Sequence, residues 1–194
     1  MLRIKLVFAS TIAFGTMCCV PRVTAQERAI DTARSSLRIR VLKSGIFSAF
    51  AHDHEIEAPI AEGTVNLSGD PRVALHLHAS EMRVVDPELS ADKREEVQRT
   101  MEGAEVLDIK QYPEISFQST TAQKKDQQHW IVGGKLTLHG QTRPVEVAVI
   151  PKDDHYQGTA KLRQQDFGIT PVAIAGGTVR VKDEVRVEFD IVLK

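Results

Sequence analysis

The strongest constraint on this chain is a period-two alternation of apolar and polar side chains that recurs in short segments along most of its length. Successive side chains of a strand point to opposite faces, so each such segment carries one apolar and one polar face. The pattern is clearest near the C-terminus. There Val185, Val187, Phe189, Ile191 and Leu193 share one face, and Arg186, Glu188, Asp190 and Lys194 share the other, with Val192 the only apolar residue among them. The same reading gives Leu37, Ile39 and Val41; Val65 and Leu67; Val73, Leu75 and Leu77; Ile115 and Phe117; Leu136 and Leu138; Val145, Val147 and Val149; and a more polar segment around Ala160 and Leu162. The sequence therefore predicts eight strands.

Turn residues at Ser68-Gly-Asp-Pro71, His139-Gly-Gln-Thr142 and Pro151-Lys-Asp-Asp154 make hairpins of consecutive strands, so neighbours are expected to be antiparallel. One stretch breaks the alternation. Residues 90–103 are rich in helix formers, Ser90 can cap the start, and Leu89, Val97, Met101 and Ala104 fall near one helical face, which predicts one helix inserted between the third and fourth strands. Eight antiparallel strands with one apolar face have two common solutions, a sandwich or a closed barrel, and alternation alone does not choose between them.

Residues 1–25 read as a secretory signal peptide rather than structure: a basic start at Arg3 and Lys5, an apolar run from Leu6 to Val20 too short to span a membrane, and small residues at Val23-Thr-Ala25 for cleavage. The mature chain, 26–194, is then one domain with no transmembrane segment, periplasmic or secreted in a bacterium. Both cysteines, Cys18 and Cys19, lie in the leader, so the mature chain has no disulfide, cysteine metal site or thiol nucleophile. Lipid attachment at Cys18 is disfavoured by Met17, which stands where bacterial lipoprotein signals prefer a small residue. Removing Arg3, Lys5 and Arg22 leaves 22 basic against 26 acidic residues. A net charge of about −4 is no footprint for nucleic acid.

No catalytic motif stands out: the chain has no Gly-x-Ser-x-Gly elbow, phosphate loop, dinucleotide-binding glycine pattern or His-Glu-x-x-His helix. Two His-x-His pairs carry the competing chemistry. His76 and His78, two apart on one strand, point to one face, and His52 and His54 flank Asp53; neutral imidazoles of this kind suit zinc or copper, in a periplasmic metal-binding or redox-accessory protein. Because His76 and His78 alternate against Leu75 and Leu77, the sequence places them on the solvated outer face, and weak or no metal binding is expected. His139 and His155 sit in or beside turns, as surface residues.

Several segments, in order, resemble the YceI-like polyisoprenoid-binding proteins. They are Ile30-Asp31, Phe47 to Phe50, Met101, Leu107-Asp108, Tyr112-Pro-Glu-Ile-Ser-Phe-Gln-Ser119, Gly134-Lys-Leu-Thr-Leu-His-Gly-Gln-Thr-Arg-Pro-Val145, Asp166-Phe-Gly-Ile169 and Asp183-Glu-Val185. The chain departs from the family's pattern at Ala49-Phe-Ala-His-Asp-His-Glu-Ile56, where many members have a longer glycine-containing segment after an Arg-His pair. The resemblance implies an all-β, eight-stranded antiparallel lipocalin-like β-barrel with one inserted helix, and a non-enzymatic carrier or store for a polyisoprenoid, quinone or fatty-acid-like lipid. No cofactor is required, and a homodimer is compatible with it. Candidate lining residues are Phe47, Phe50, Leu75, Leu77, Ile115, Phe117, Leu136, Leu138, Phe167, Val187 and Phe189, with Phe47 and Phe50 near the mouth. A continuous aliphatic lining suffices for affinity, since burying each methylene is worth about 0.8 kcal/mol.

Overall fold

The computed structural model describes residues 27–44, 53–68, 71–174 and 179–194. The expected leader, Phe47, Phe50, His52 and the tip of the first predicted turn lie outside them. The described chain is mostly β. Its strands are β1 (Glu27–Ala29), β2 (Ser36–Ser44), β3 (His54–Glu57), β4 (Glu62–Asn66), β5 (Arg72–His78), β6 (Arg83–Val84), β7 (Glu114–Lys124), β8 (Trp130–Leu138), β9 (Gln141–Lys152), β10 (His155–Arg163), β11 (Ala173–Ile174) and β12 (Val179–Val192). The helix α1 (Ala91–Glu102) precedes β7.

All strands join one antiparallel sheet of order β1-β4-β5-β7-β8-β9-β10-β12-β2-β3-β6, with β11 paired to β12 off that path. The sheet curls. Ile30, just after β1, forms a bridge with Leu193, just after β12, and the Lys194 amide donates to the Ala29 carbonyl at 2.9 Å. The first strand thus meets both β4 and the end of the last strand.

The strand number corrects the expected eight. Every predicted strand is present, but three of them continue across a bend into a further short strand, β2 from β1, β4 from β3 and β5 into β6. Between β1 and β2 the Asp31 carbonyl accepts from the Arg34 and Ser35 amides, and the Ser35 hydroxyl accepts from the Val192 amide at 2.9 Å. Between β3 and β4 Pro59, which has no amide to donate, interrupts the ladder. Between β5 and β6 a short 3-10 turn, Ala79–Glu81, intervenes. The two-residue β11 completes the difference.

The helix forms where its sequence signals put it. Ser90 caps it, its hydroxyl accepting from the Lys93 amide, and Gly103 ends it. Met101 is buried, whereas Ala104 lies beyond the last turn and is exposed, so the expected apolar face is shorter than its pattern suggested. The Gln98 side chain ties α1 to β6, accepting from the Val84 amide and donating to the Met82 carbonyl, both at 2.8 Å.

Two inward-facing glycines shape the interior. A Cβ at Gly158 on β10 would lie 2.4 Å from the Phe189 ring and 2.1 Å from the Ala148 carbonyl oxygen; one at Gly134 on β8 would lie 2.4 Å from the Phe117 ring. Each ring therefore occupies the space that a neighbouring strand's side chain would fill. Gly158→Ala is expected to destabilise the protein by about 1–3 kcal/mol through overpacking against backbone and ring. Thr159→Ala, on the exposed face, is expected to cost under about 1 kcal/mol, and urea unfolding of the two variants checks the difference.

Candidate functional site: an apolar cavity inside the curled sheet

The inner face of the sheet encloses a cavity of about 530 Å3. This lies within the roughly 300–1,000 Å3 typical of small-molecule sites. Its wall is built by the alternation itself. Leu37, Ile39 and Val41 come from β2, Leu75 and Leu77 from β5, Val145, Val147 and Val149 from β9, and Val185, Val187, Phe189 and Ile191 from β12. Among the described residues no charged one lines it; Gln164, Tyr156 and Trp130 bring the side-chain polar groups. The Gln164 amide is already engaged, donating to the Lys182 carbonyl at 2.8 Å. Water inside would find few partners, so the space suits apolar matter.

The two ends of the cavity differ. Toward α1, Met82, Met101 and Leu107 are buried and join Ile56, Ile115 and Ile169 in the main core cluster. At the opposite end the wall reaches Leu67, Pro71, Trp130 and Pro151, beside the turns that follow β4, β7 and β9. Leu67 is 45% exposed there, a large apolar side chain left at the rim.

Among the lining candidates from the sequence, Leu75, Leu77, Ile115, Phe117, Leu136, Leu138, Val187 and Phe189 line this cavity. Phe167 does not: it is 1% exposed and packs in the core cluster behind the wall. Phe47 and Phe50 fall outside the described residues. The wall contributed by Met82, Met101, Val106 and Leu107 was not legible in the alternation, because these residues lie in the turn before β6, in the helix and in the loop after it.

Several of the segments that carry the family resemblance converge outside the cavity wall, as a structural lock. The His139 Nδ1 lies 3.1 Å from the Phe167 carbonyl oxygen, and the His139 ring meets Tyr112 edge-on at 4.5 Å. The Arg143 Nε donates to the Asp166 carbonyl at 2.8 Å. Gly140, at φ +68°, has the Tyr112 ring where a Cβ would stand, so close approach and left-handed backbone both require glycine.

The histidines separate into distinct settings. The His54 Nδ1 lies 2.6 Å from the buried Asp86 carboxylate, which also accepts from the Glu55 amide. His54 is thus part of a structural bond between β3 and the segment before α1, and His52 is outside the described residues. His155 pairs with Asp190 at 2.7 Å. Burial pushes the Asp190 carboxyl up, but hydrogen bonds from Gln157 and His155, with the charge of His155, hold it below the usual value. On the outer face of β5, His76 and His78 both meet Glu114 of β7, at 2.5 and 3.1 Å. Asp86→Ala is expected to cost roughly 3 kcal/mol, because it strands the His54 ring and the Glu55 amide, and Asp86→Asn should recover part of the loss. Chemical denaturation of both variants measures it.

The family model described as the YceI-like domain matches residues 29–193. A UPF0312 protein of Enterobacter sp. (strain 638) is 34% identical over 80 residues, 36% of this chain and 41% of that protein. A UPF0312 protein of Pseudomonas putida (strain W619) is 37% identical over 76 residues, 34% of this chain and 40% of that one. The chain thus spans about two fifths of the length of these curated relatives. Among solved structures, Burkholderia cenocepacia BcnA is similar with a TM-score of 0.65 at 18% identity, covering 85% of this chain and 99% of BcnA. A mutant CJ YCEI protein has a TM-score of 0.51 at 13% identity, covering 71% of this chain and 84% of that one. At such identities the likeness shows a shared fold.

Proposed function

The chain belongs to the family of YceI-like domains, and we propose that it is an exported binding protein whose cavity holds the hydrocarbon tail of an isoprenoid-type or other amphipathic lipid. The observation that carries this reading is a cavity of about 530 Å3 whose lining holds no charged residue among the described ones. Withdrawing ten methylenes from water is worth about 8 kcal/mol, comparable to a micromolar dissociation constant before ordering costs are subtracted. The wall thus has enough affinity to offer without a polar anchor. Binding involves no covalent chemistry and no cofactor, and the eight lining residues anticipated from the sequence contact the tail.

In this reading the curled sheet acts as a barrel of eight runs, with β1/β2, β3/β4 and β5/β6 each serving as one bent strand. The tail enters past Leu67, Pro71, Trp130 and Pro151, where an indole with an apolar body and one donor suits the boundary between tail and head group. The proposal includes removal of residues 1–25 and a periplasmic or secreted location, supported by the basic start, the short apolar run and Val23-Thr-Ala25.

Val147 lines the cavity and Ala148 points to the exposed face of the same strand. Val147→Trp should weaken binding of a fluorescent prenyl-chain probe at least about tenfold by filling the space, while Ala148→Trp leaves it unchanged. Equal probe affinity in both variants, each shown to be folded by circular dichroism, would place binding elsewhere.

A further inference from the structure

We propose that His76, His78 and Glu114 form a binding site for one divalent transition-metal ion of the zinc type on the outer face of the sheet. This site is separate from the cavity, since Leu75 and Leu77, which alternate with the two histidines on β5, line the interior.

The site is assembled by strand register. His76 and His78 are two residues apart, which sets their Cα atoms about 6.8 Å apart with both rings on one face. The rings turn toward each other, with centroids 5.2 Å apart. Across the ladder His78 is directly opposite Glu114 of β7. The Glu114 Oε2 lies 2.5 Å from the His76 Nε2 and 3.1 Å from the His78 Nδ1, and one ligand atom from each of the three residues falls within 4.8 Å of the others. Among the described residues this is the set of three metal-ligand side chains that converges so closely. Tetrahedral zinc holds its ligand atoms about 3.4 Å apart, so the His76 to Glu114 contact has to open by less than about 1 Å. Glu114, with its side chain 51% exposed, is free to make that move.

The donor set selects the ion class. Two neutral imidazoles and one carboxylate suit zinc and copper rather than calcium or magnesium, which take oxygen ligands. Three protein ligands leave a fourth position to water. Glu62 of β4 stands directly opposite His76 on the other side and is exposed, adding a second negative charge beside the site. The backbone under all three ligands belongs to adjacent paired strands, so little ordering is required on binding. The outward direction of the histidines, which taken alone speaks for simple solvation, is what lets them reach Glu114.

The test is calorimetric titration of zinc chloride into the untagged chain carrying Cys18→Ser and Cys19→Ser, which removes competing thiols. One-to-one submicromolar binding is expected. His76→Ala and His78→Ala should each weaken it on the order of 100-fold and Glu114→Gln about tenfold, while His52→Ala with His54→Asn, which keeps a donor for the buried Asp86, leaves it intact. In proton NMR, zinc should shift the ring signals of His76 and His78. No binding by the folded parent chain, or binding lost in the His52/His54 double variant and kept in His78→Ala, would overturn the inference.

Discussion

The sheet has to cover its own apolar face, and the rest of the structure depends on that constraint. Nearly every strand is apolar on one side, yet the described chain has a single twelve-residue helix with which to cover so large a surface. A flat sheet would leave the remainder in water. Curling removes it, brings Ile30 to Leu193, and turns alternation along each strand into an inside and an outside. The long β12 serves this geometry: it pairs with β10 along one edge and β2 along the other, and its far end meets the residue after β1.

Curvature alone does not leave a hollow, because large inward side chains could fill it. Here the Phe117 and Phe189 rings lie over Gly134 and Gly158 on neighbouring strands instead of reaching across the interior. Aliphatic residues make up most of the remaining wall. At the α1 end Met82, Met101 and Leu107 line the cavity and also join Phe167 in the core cluster, so one continuous inner face closes the cavity there and stays open toward the other end.

Eight strands and the helix were legible because each carries its own local signal: strict alternation, a turn dipeptide or a capping serine. The segments β1, β3, β6 and β11 were not, since two to four residues are too few to show a period and their pairing is dictated by distant partners. The alternation in β5 correctly set Leu75 and Leu77 inward. It could not reveal the cavity, which depends on glycines brought beneath aromatic rings of other strands. Nor could it reveal Glu114, 36 residues beyond His78, as a neighbour of both histidines. Register across an intervening helix creates that contact, and nothing local to β5 or β7 encodes it.

With a cavity of about 530 Å3, the interior of this protein is a space of lipid size rather than a filled core. Native mass spectrometry of the protein purified from its own host, followed by solvent extraction and identification of what it releases, tests this directly. One long-chain apolar molecule per protein chain is expected, released when the chain unfolds. A population of folded protein carrying no extractable lipid, which also fails to take up prenyl, quinone or fatty-acyl chains when they are supplied, would contradict this expectation.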